Sequence, residues 1–309
     1  MKYLFGIDIG GTTVKIGLIS YSGTIVDKFE IKTNTENKGA SILSDIRDAL
    51  YSYMAENDIK KESVKGIGFG IPGPVANNFV LVCPNLGWEN KFVAEEFRRL
   101  IDWDPIIRCA NDANVAALGE MHACGGNYKN VSMFTLGTGV GGAVILNGKI
   151  LDGVNGHSGE FGHFHADHKY NFMCNCGKEG CLETVASATG VVRLAKTFLK
   201  NEQSALSNIS SLTAKDVFDA AKKGDPVALK VVDEVGDYIG KAASIVAMVA
   251  DPEVFIIGGG VSKAGQFLLD AIQKGYQRYA FGATKNTKFI LASLGNDGGM
   301  LGAALLTLC

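Results

Sequence analysis

Leu4-Phe5-Gly6-Ile7-Asp8-Ile9-Gly10-Gly11-Thr12-Thr13-Val14-Lys15-Ile16-Gly17-Leu18-Ile19 is the stretch on which the fold turns. It reads as an apolar strand, a polar Gly/Thr turn and a second strand, with β-branched residues on both sides of glycines that tolerate positive φ. Met133 to Leu146, M-F-T-L-G-T-G-V-G-G-A-V-I-L, repeats the plan. Two hairpins of one design predict an internally duplicated fold. Each turn pairs glycine with threonine rather than the commoner Asn-Gly, so backbone amides and hydroxyls could grip phosphate from two sides. Two ordinary hairpins are the plainer alternative, which Gly/Thr composition alone leaves open.

Gly137-Thr138-Gly139-Val140-Gly141-Gly142 also satisfies the G-x-G-x-x-G dinucleotide pattern. That fingerprint needs a helix directly after it, whereas Ala143-Val144-Ile145-Leu146 and Asn147-Gly148 read as a strand and a turn, so the dinucleotide fold is rejected. The chain contains no G-x-x-x-x-G-K-[ST] phosphate loop. Between the hairpins, Ile42, Ile46, Leu50 and Tyr53 have helical spacing, and residues 64–71 read as a buried strand ending at Pro72-Gly73-Pro74. Residues 106–110 predict a short strand that stops at Asn111-Asp112, ahead of a helix over 113–123. Such a polar pair is where open α/β sheets present catalytic groups, and also where a helix is capped; the two roles are compatible. Further on, helices are expected over 187–201, 214–223 and 226–250. A strand over 253–257 then runs into Gly258-Gly259-Gly260, a turn that lets the backbone approach a flat ligand such as adenine. An Ala/Leu-rich helix over 298–308 closes the chain.

His163 to Glu183 reads H-F-H-A-D-H-K-Y-N-F-M-C-N-C-G-K-E-G-C-L-E, with Gly159-Glu160 just before it. His163, Cys174, Cys176 and Cys181 could close a tetrahedron around zinc, with His165 and His168 as alternatives for the fourth ligand. Four thiolate and imidazole ligands leave no open position for substrate water, so such a zinc is structural. Glu160 and Glu183 flank the ligands as unspent carboxylates, which suggests a metal-ordered pocket for a polar substrate. The other four of the seven cysteines, Cys83, Cys109, Cys124 and Cys309, read as small hydrophobes.

At 309 residues, two domains are the expectation. A net charge of −2 with acids and bases interspersed offers no footprint for nucleic acid or an anionic membrane, and the partner is expected to be a small molecule. The opening apolar run is cut short at Asp8 and Gly10-Gly11 before a signal-peptide core forms. An odd cysteine count without scaffold spacing argues against a disulfide framework and fits a reducing cytoplasm.

Seven blocks carry a resemblance: D-I-G-G-T at Asp8 to Thr12, G-I-P-G-P at Gly70 to Pro74, N-D-A-N at Asn111 to Asn114, L-G-T-G-V-G-G at Leu136 to Gly142, G-E-F-G-H at Gly159 to His163, C-N-C-G-K-E-G-C-L-E at Cys174 to Glu183, and I-G-G-G at Ile257 to Gly260. In this order and over the whole chain, they resemble the ROK family of sugar kinases, within the actin-like ATPase superfamily. The resemblance implies an α/β, duplicated actin-like ATPase (ribonuclease H-like) fold of two domains around a cleft. Residues 1–112 plus the C-terminal helix 297–309 would form the smaller α/β domain, and 113–296 the larger one with the zinc-binding segment.

By the same resemblance, Asp112 would be the catalytic base, taking the proton of a sugar hydroxyl as it attacks the γ-phosphate of ATP. Gly73, Asn111, Asp112, Glu160, His163 and Glu183 would hold the sugar. His163 would ligate zinc through one nitrogen and offer its other N–H to the sugar. Asp8 would help place Mg²⁺. Gly10, Gly11, Thr12 and Thr13, with Gly137, Thr138 and Gly139, would cradle the phosphates, and Gly258, Gly259 and Gly260 would sit against the nucleoside. Lys15 lies near the first turn or points to water. The cysteine block followed by Ser187-Ala188-Thr189-Gly190 is most similar to the bacterial glucokinase branch, implying conversion of D-glucose to glucose 6-phosphate. An amino-sugar kinase, for N-acetylmannosamine or a relative of it, and a non-catalytic sugar sensor of the same fold are the alternatives. Some members of the family are repressors with an N-terminal winged helix; this chain opens on the phosphate hairpin, so no nucleic-acid partner is expected. A cytoplasmic homodimer whose lobes close on the sugar completes the expectation. Residues 77–90, including Asn85 and Trp88, are expected as a loop at the cleft that shapes specificity, a merely exposed loop being the alternative.

Overall fold

The computed structural model of the chain describes residues 1–125 and 128–309. They form two compact units, Met1–Asn127 with Gly148–Ser158 and Ser293–Cys309, and Tyr128–Asn147 with Gly159–Ala292.

In the first unit, strands Ile25–Lys32, Thr13–Ser20, Tyr3–Ile9, Val64–Ile71 and Ile106–Asn111 lie in that order across one sheet. Tyr3–Ile9 and Thr13–Ser20 pair as an antiparallel hairpin in which Asp8 faces Lys15. The next two strands run parallel to Tyr3–Ile9. Parallel strands covered on both faces read as continuous apolar runs; Val64–Ile71 accordingly buries every residue but Lys65. In the second unit the order is Val140–Leu146, Val131–Leu136, Val254–Gly258, Lys288–Leu291. Again an antiparallel hairpin is followed by two parallel strands. The duplication expected from the two Gly/Thr hairpins is thus present in the sheet order itself.

Each sheet has its own core. Ile42, Ile46 and Leu50 of helix Ile42–Glu56 pack into the first, at the expected helical spacing. The second is built around helix Pro226–Ala250. Its N-terminus is capped by Asp225, whose carboxylate accepts the Val227 and Ala228 N–H groups, and Asp251 in the left-handed conformation ends it.

The first unit extends beyond the boundary expected at Asp112. Helix Asp112–Ala123 packs against the C-terminal helix Gly298–Leu305 at backbone distance: a Cβ on Gly119 would overlap the Gly298 carbonyl, and one on Gly302 would overlap that of Val115. Glu120, buried beside them, accepts the Ser293 and Leu294 N–H groups at 2.7 and 2.9 Å. The helix therefore stays with the unit that contains Asp112.

The segment expected as a loop over 77–90 is largely sheet. Val75–Ala76, Phe79–Cys83 and Trp88–Lys91 form a three-stranded antiparallel sheet. Asn77 and Asn78, at φ 52° and 63°, supply the pair of left-handed residues that a tight hairpin needs. Trp88 is 3% exposed and donates its indole N–H to the Gly39 carbonyl at 3.1 Å, so it is a core residue. Strands Ile25–Lys32 and Lys288–Leu291 and helix Val93–Leu100 also lie outside the segments predicted from sequence. No helix among the described residues is long and apolar enough to cross a membrane.

Candidate active site

In the first unit the Gly/Thr turn is fixed from within and from the neighbouring strand end. Gly10 donates to the Thr13 carbonyl at 2.9 Å, while Thr33 donates its hydroxyl to Gly10 O at 2.7 Å and its N–H to Thr12 O at 3.0 Å. Gly11 and Thr12 remain exposed, and Asn85 lies beside Gly11. Asp8, next to last in the preceding strand, is half-buried. Burial raises its carboxyl pKa, opposed by the Lys15 charge across the hairpin. A carboxylate short of solvation beside an exposed amide turn suits a hard cation such as Mg²⁺. Gly299 packs so closely that a Cβ there would lie 2.7 Å from Asp8 Oδ2.

Strand Ile106–Asn111 delivers Asn111 and Asp112 to the start of a helix. Asn111 is the N-cap: its Oδ1 accepts the Ala113 and Asn114 N–H groups at 2.9 and 3.2 Å, and its Nδ2 donates to the Gly73 carbonyl at 3.0 Å. Asp112 occupies the first helical position, with Oδ1 accepting from Ala113 N at 2.8 Å. Gly73, Asn111 and Asp112 are therefore one hydrogen-bonded constellation, and Asn111 serves as both cap and site residue. Asn114, almost fully buried, donates to Asp152 at 3.3 Å, and burial pushes the Asp152 carboxyl up. Asp152 was not recognisable in sequence, since no motif surrounds it.

In the second unit, Phe161 anchors the acid and histidine that flank it. Its ring packs 4.8 Å from that of Phe134 in the core, leaving Glu160 and His163 on the exposed side of a short 3-10 turn. His163 Nε2 lies 4.0 Å from Glu160 Oε2. Its Nδ1 lies 3.8 Å from Cys174 Sγ. The ligand atoms of His163, Cys174, Cys176 and Cys181 all fall within 4.8 Å of one another, which selects His163 over His165 and His168. Tetrahedral zinc, with Zn–S about 2.3 Å and Zn–N about 2.0 Å, separates two sulfurs by about 3.8 Å and a sulfur from a nitrogen by about 3.5 Å. Cys176 Sγ and Cys181 Sγ are 3.6 Å apart, so both distances lie close to those values. Burial pushes the Cys181 thiol up to about 12 and raises that of Cys174, whereas the Lys178 N–H lowers that of Cys176.

The knuckle is closed by short bridges, His165 to Cys181 and Met173 to Glu179. It is held to helix Pro226–Ala250 by Asp167, which is fully buried and accepts the Lys169 and Tyr170 N–H groups and the Tyr238 hydroxyl, each at 2.9 Å. Glu183 follows the last cysteine. Its Oε2 accepts the Val140 N–H at 3.1 Å, and its Oε1 lies 3.8 Å from Cys174 Sγ. The second Gly/Thr turn, where Gly137 donates to Gly139 O at 2.9 Å, is therefore next to the knuckle.

Gly259, at φ 84°, lies so close to Leu136 that any Cβ would meet its backbone, which places the three-glycine turn against the strand leading into Gly137. Beside it opens a cavity of about 320 Å³ lined by Ala188, Thr213, Phe218, Gly260, Val261 and Lys263. Of this lining, only Gly260 is among the site residues expected from sequence. The cue for the rest was Thr213-x-x-Asp216, a capping box that starts helix Ala214–Lys222 and presents Phe218 one turn later.

A family model described as the ROK family matches residues 4–308. The chain is 44% identical over 317 residues to a glucokinase of Halalkalibacterium halodurans, spanning 99% of this chain and 94% of that one. It is 34% identical to a glucokinase of Thermotoga maritima, over 97% and 96% of the two chains. Its structure is similar, at a TM-score of 0.73 and 31% identity over 98% of each chain, to the crystal structure of a ROK family glucokinase from Streptomyces griseus in complex with glucose and AMPPNP.

Proposed function

We propose that this chain, which belongs to the ROK family, transfers the γ-phosphoryl group of ATP to a hexose, and that the hexose is D-glucose, giving glucose 6-phosphate. The observation that carries the reading is its likeness, along the full length, to a glucokinase crystallised with glucose and AMPPNP.

In the reaction, Asp112 accepts the proton of the sugar hydroxyl as that oxygen bonds to the γ-phosphorus and the bond to the β-phosphate oxygen breaks, releasing ADP. Its place at the first turn of a capped helix fixes the carboxylate in advance of the reaction. Asn111, Glu160, His163 and Glu183 hold the sugar hydroxyls, with Gly73 lining the pocket. The two Gly/Thr turns present backbone amides to the phosphates. The apolar cavity beside Gly260 takes the adenine, which favours a nucleoside triphosphate over a phosphate polymer as donor. Mg²⁺ held by Asp8 would neutralise charge on the transferring phosphates. Zinc held by His163, Cys174, Cys176 and Cys181 is structural in this reading. With Nδ1 turned toward Cys174, His163 would keep Nε2, beside Glu160, for the sugar. None of the seven cysteines is joined in a disulfide, which supports a cytoplasmic setting, and a homodimer is the expectation carried over from the family.

Coupled ADP-release assays across glucose, mannose, N-acetylmannosamine, N-acetylglucosamine and fructose test the assignment. Glucose should give the highest kcat/KM. A higher value with an amino sugar would reassign the substrate, and sugar binding without ADP release from any of the five would mark a sensor.

A further inference from the structure

Glu183 is placed above as a sugar ligand, yet its strongest contact in the structure is with the donor's turn. Its Oε2 accepts the Val140 N–H at 3.1 Å, at the point where the turn Gly137–Gly139 becomes a strand. The approach is close enough that a Cβ at Gly139 would overlap Glu183 Oε2 unless that carboxylate moved away. Five residues on, the same segment grips the turn twice more. Ala188 donates its N–H to the Gly137 carbonyl at 2.8 Å, and the Thr189 hydroxyl donates to the Thr138 carbonyl at 3.1 Å. The segment is itself braced by the Ser187 hydroxyl, which donates to the Glu183 carbonyl at 2.7 Å and lies 2.9 Å from Thr189 Oγ1. On its other side Glu183 Oε1 lies 3.8 Å from Cys174 Sγ.

Each residue of the phosphate turn from 137 to 140 thus either bonds to the segment from Glu183 to Thr189 or abuts it. A turn built of glycine and threonine has little conformational preference of its own, and an external clamp removes the entropy that phosphate binding would otherwise have to overcome. From this geometry we infer that Glu183 is a positioning residue for the donor phosphates as well as a sugar ligand, with Thr189 as its partner on the same turn. The inference rests on the reading of Gly137–Gly139 as a phosphate turn. Its consequence is that a carboxylate contacting the sugar also sets affinity for the nucleotide, and that the knuckle at Cys174 bears on both.

The test is isothermal titration of magnesium AMPPNP and, separately, of glucose into the full-length protein and three variants. Glu183→Ala loses the acceptor for Val140 and should weaken AMPPNP about tenfold, the scale of one hydrogen bond to a charged group. Glu183→Gln keeps an acceptor oxygen and should stay within about threefold of wild type, the rescue that a general packing defect would not give. Thr189→Val removes an exposed hydroxyl and should weaken AMPPNP by about threefold or more, with glucose affinity unchanged. AMPPNP binding at the wild-type level in both Glu183→Ala and Thr189→Val would overturn the inference while leaving the kinase reading intact. An equal loss in Glu183→Ala and Glu183→Gln would also overturn it. A wild-type protein that binds no AMPPNP would sink the donor reading and the inference together.

Discussion

Asp167 shows how a single buried charge holds the candidate sugar site in place. Burial alone would raise its pKa, but hydrogen bonds from the Tyr170 and Lys169 N–H groups, the Tyr238 hydroxyl and the Phe172 N–H outweigh it and hold the carboxyl below the usual range. A carboxylate with a depressed folded-state pKa stabilises the fold fully above the unfolded value of about 3.9. That contribution is lost as pH falls through the lower folded value. Asp167→Asn should therefore cost about 2 kcal/mol near neutrality, the scale of hydrogen bonds to a charged acceptor. It should also flatten the loss of stability below pH about 4 that wild type shows. Urea unfolding between neutral and acid pH measures both, and a variant curve parallel to that of wild type would refute the role. The sequence does not show what Asp167 ties together: the Lys169, Tyr170 and Phe172 N–H groups are local, but the Tyr238 hydroxyl comes from a distant helix. Asp112 is the opposite case: its strand-end position and its Asn111 neighbour are local signals, and the structure has Asn111 capping the helix that begins at Asp112.

At the scale of elements, local chemistry was readable and close packing was not. The cysteine knuckle announced itself by the spacing of Cys174, Cys176 and Cys181, since thiols so crowded with glycines between them have few other uses, although the choice of His163 over His165 and His168 needed coordinates. Cys176→Ser should lower zinc content measured by mass spectrometry from about one per chain, and weaken glucose binding about tenfold, the scale of disturbing a group that orients a ligand. A zinc-free variant with wild-type glucose affinity would remove the metal from sugar recognition. By contrast, the strand pair around Asn77 and Asn78 escaped notice because its turn lacks the usual Asn-Gly. The contact of helices Asp112–Ala123 and Gly298–Leu305 escaped too, for glycines in an Ala/Leu-rich helix give no sign of what they touch. Gly302→Ala forces a methyl into the Val115 carbonyl and should destabilise by about 3 kcal/mol or more. Thermal unfolding would show it as a drop of several degrees, and an unchanged Tm would mean that the helices can separate freely.

For the whole molecule, duplication was the most legible property, since the two Gly/Thr hairpins each open a sheet with the same order of an antiparallel pair and two parallel strands. Where one unit ends was less so. Residues Gly148–Ser158 join the first unit although they sit between two stretches of the second, because Gly156 packs against the backbone of Val75, a long-range contact without a sequence signal. The central claim, phosphoryl transfer from ATP to glucose with Asp112 as base, is tested most directly by incubating the purified protein with both substrates and quantifying products by ³¹P NMR, with Asp112→Ala run alongside. Wild type should form glucose 6-phosphate and ADP in equal amounts. The variant should bind glucose much as wild type does and lose about three orders of magnitude or more in kcat, the scale of a general base and its positioning. ADP without glucose 6-phosphate from wild type, or a variant within a few fold of wild type in kcat, would contradict the account.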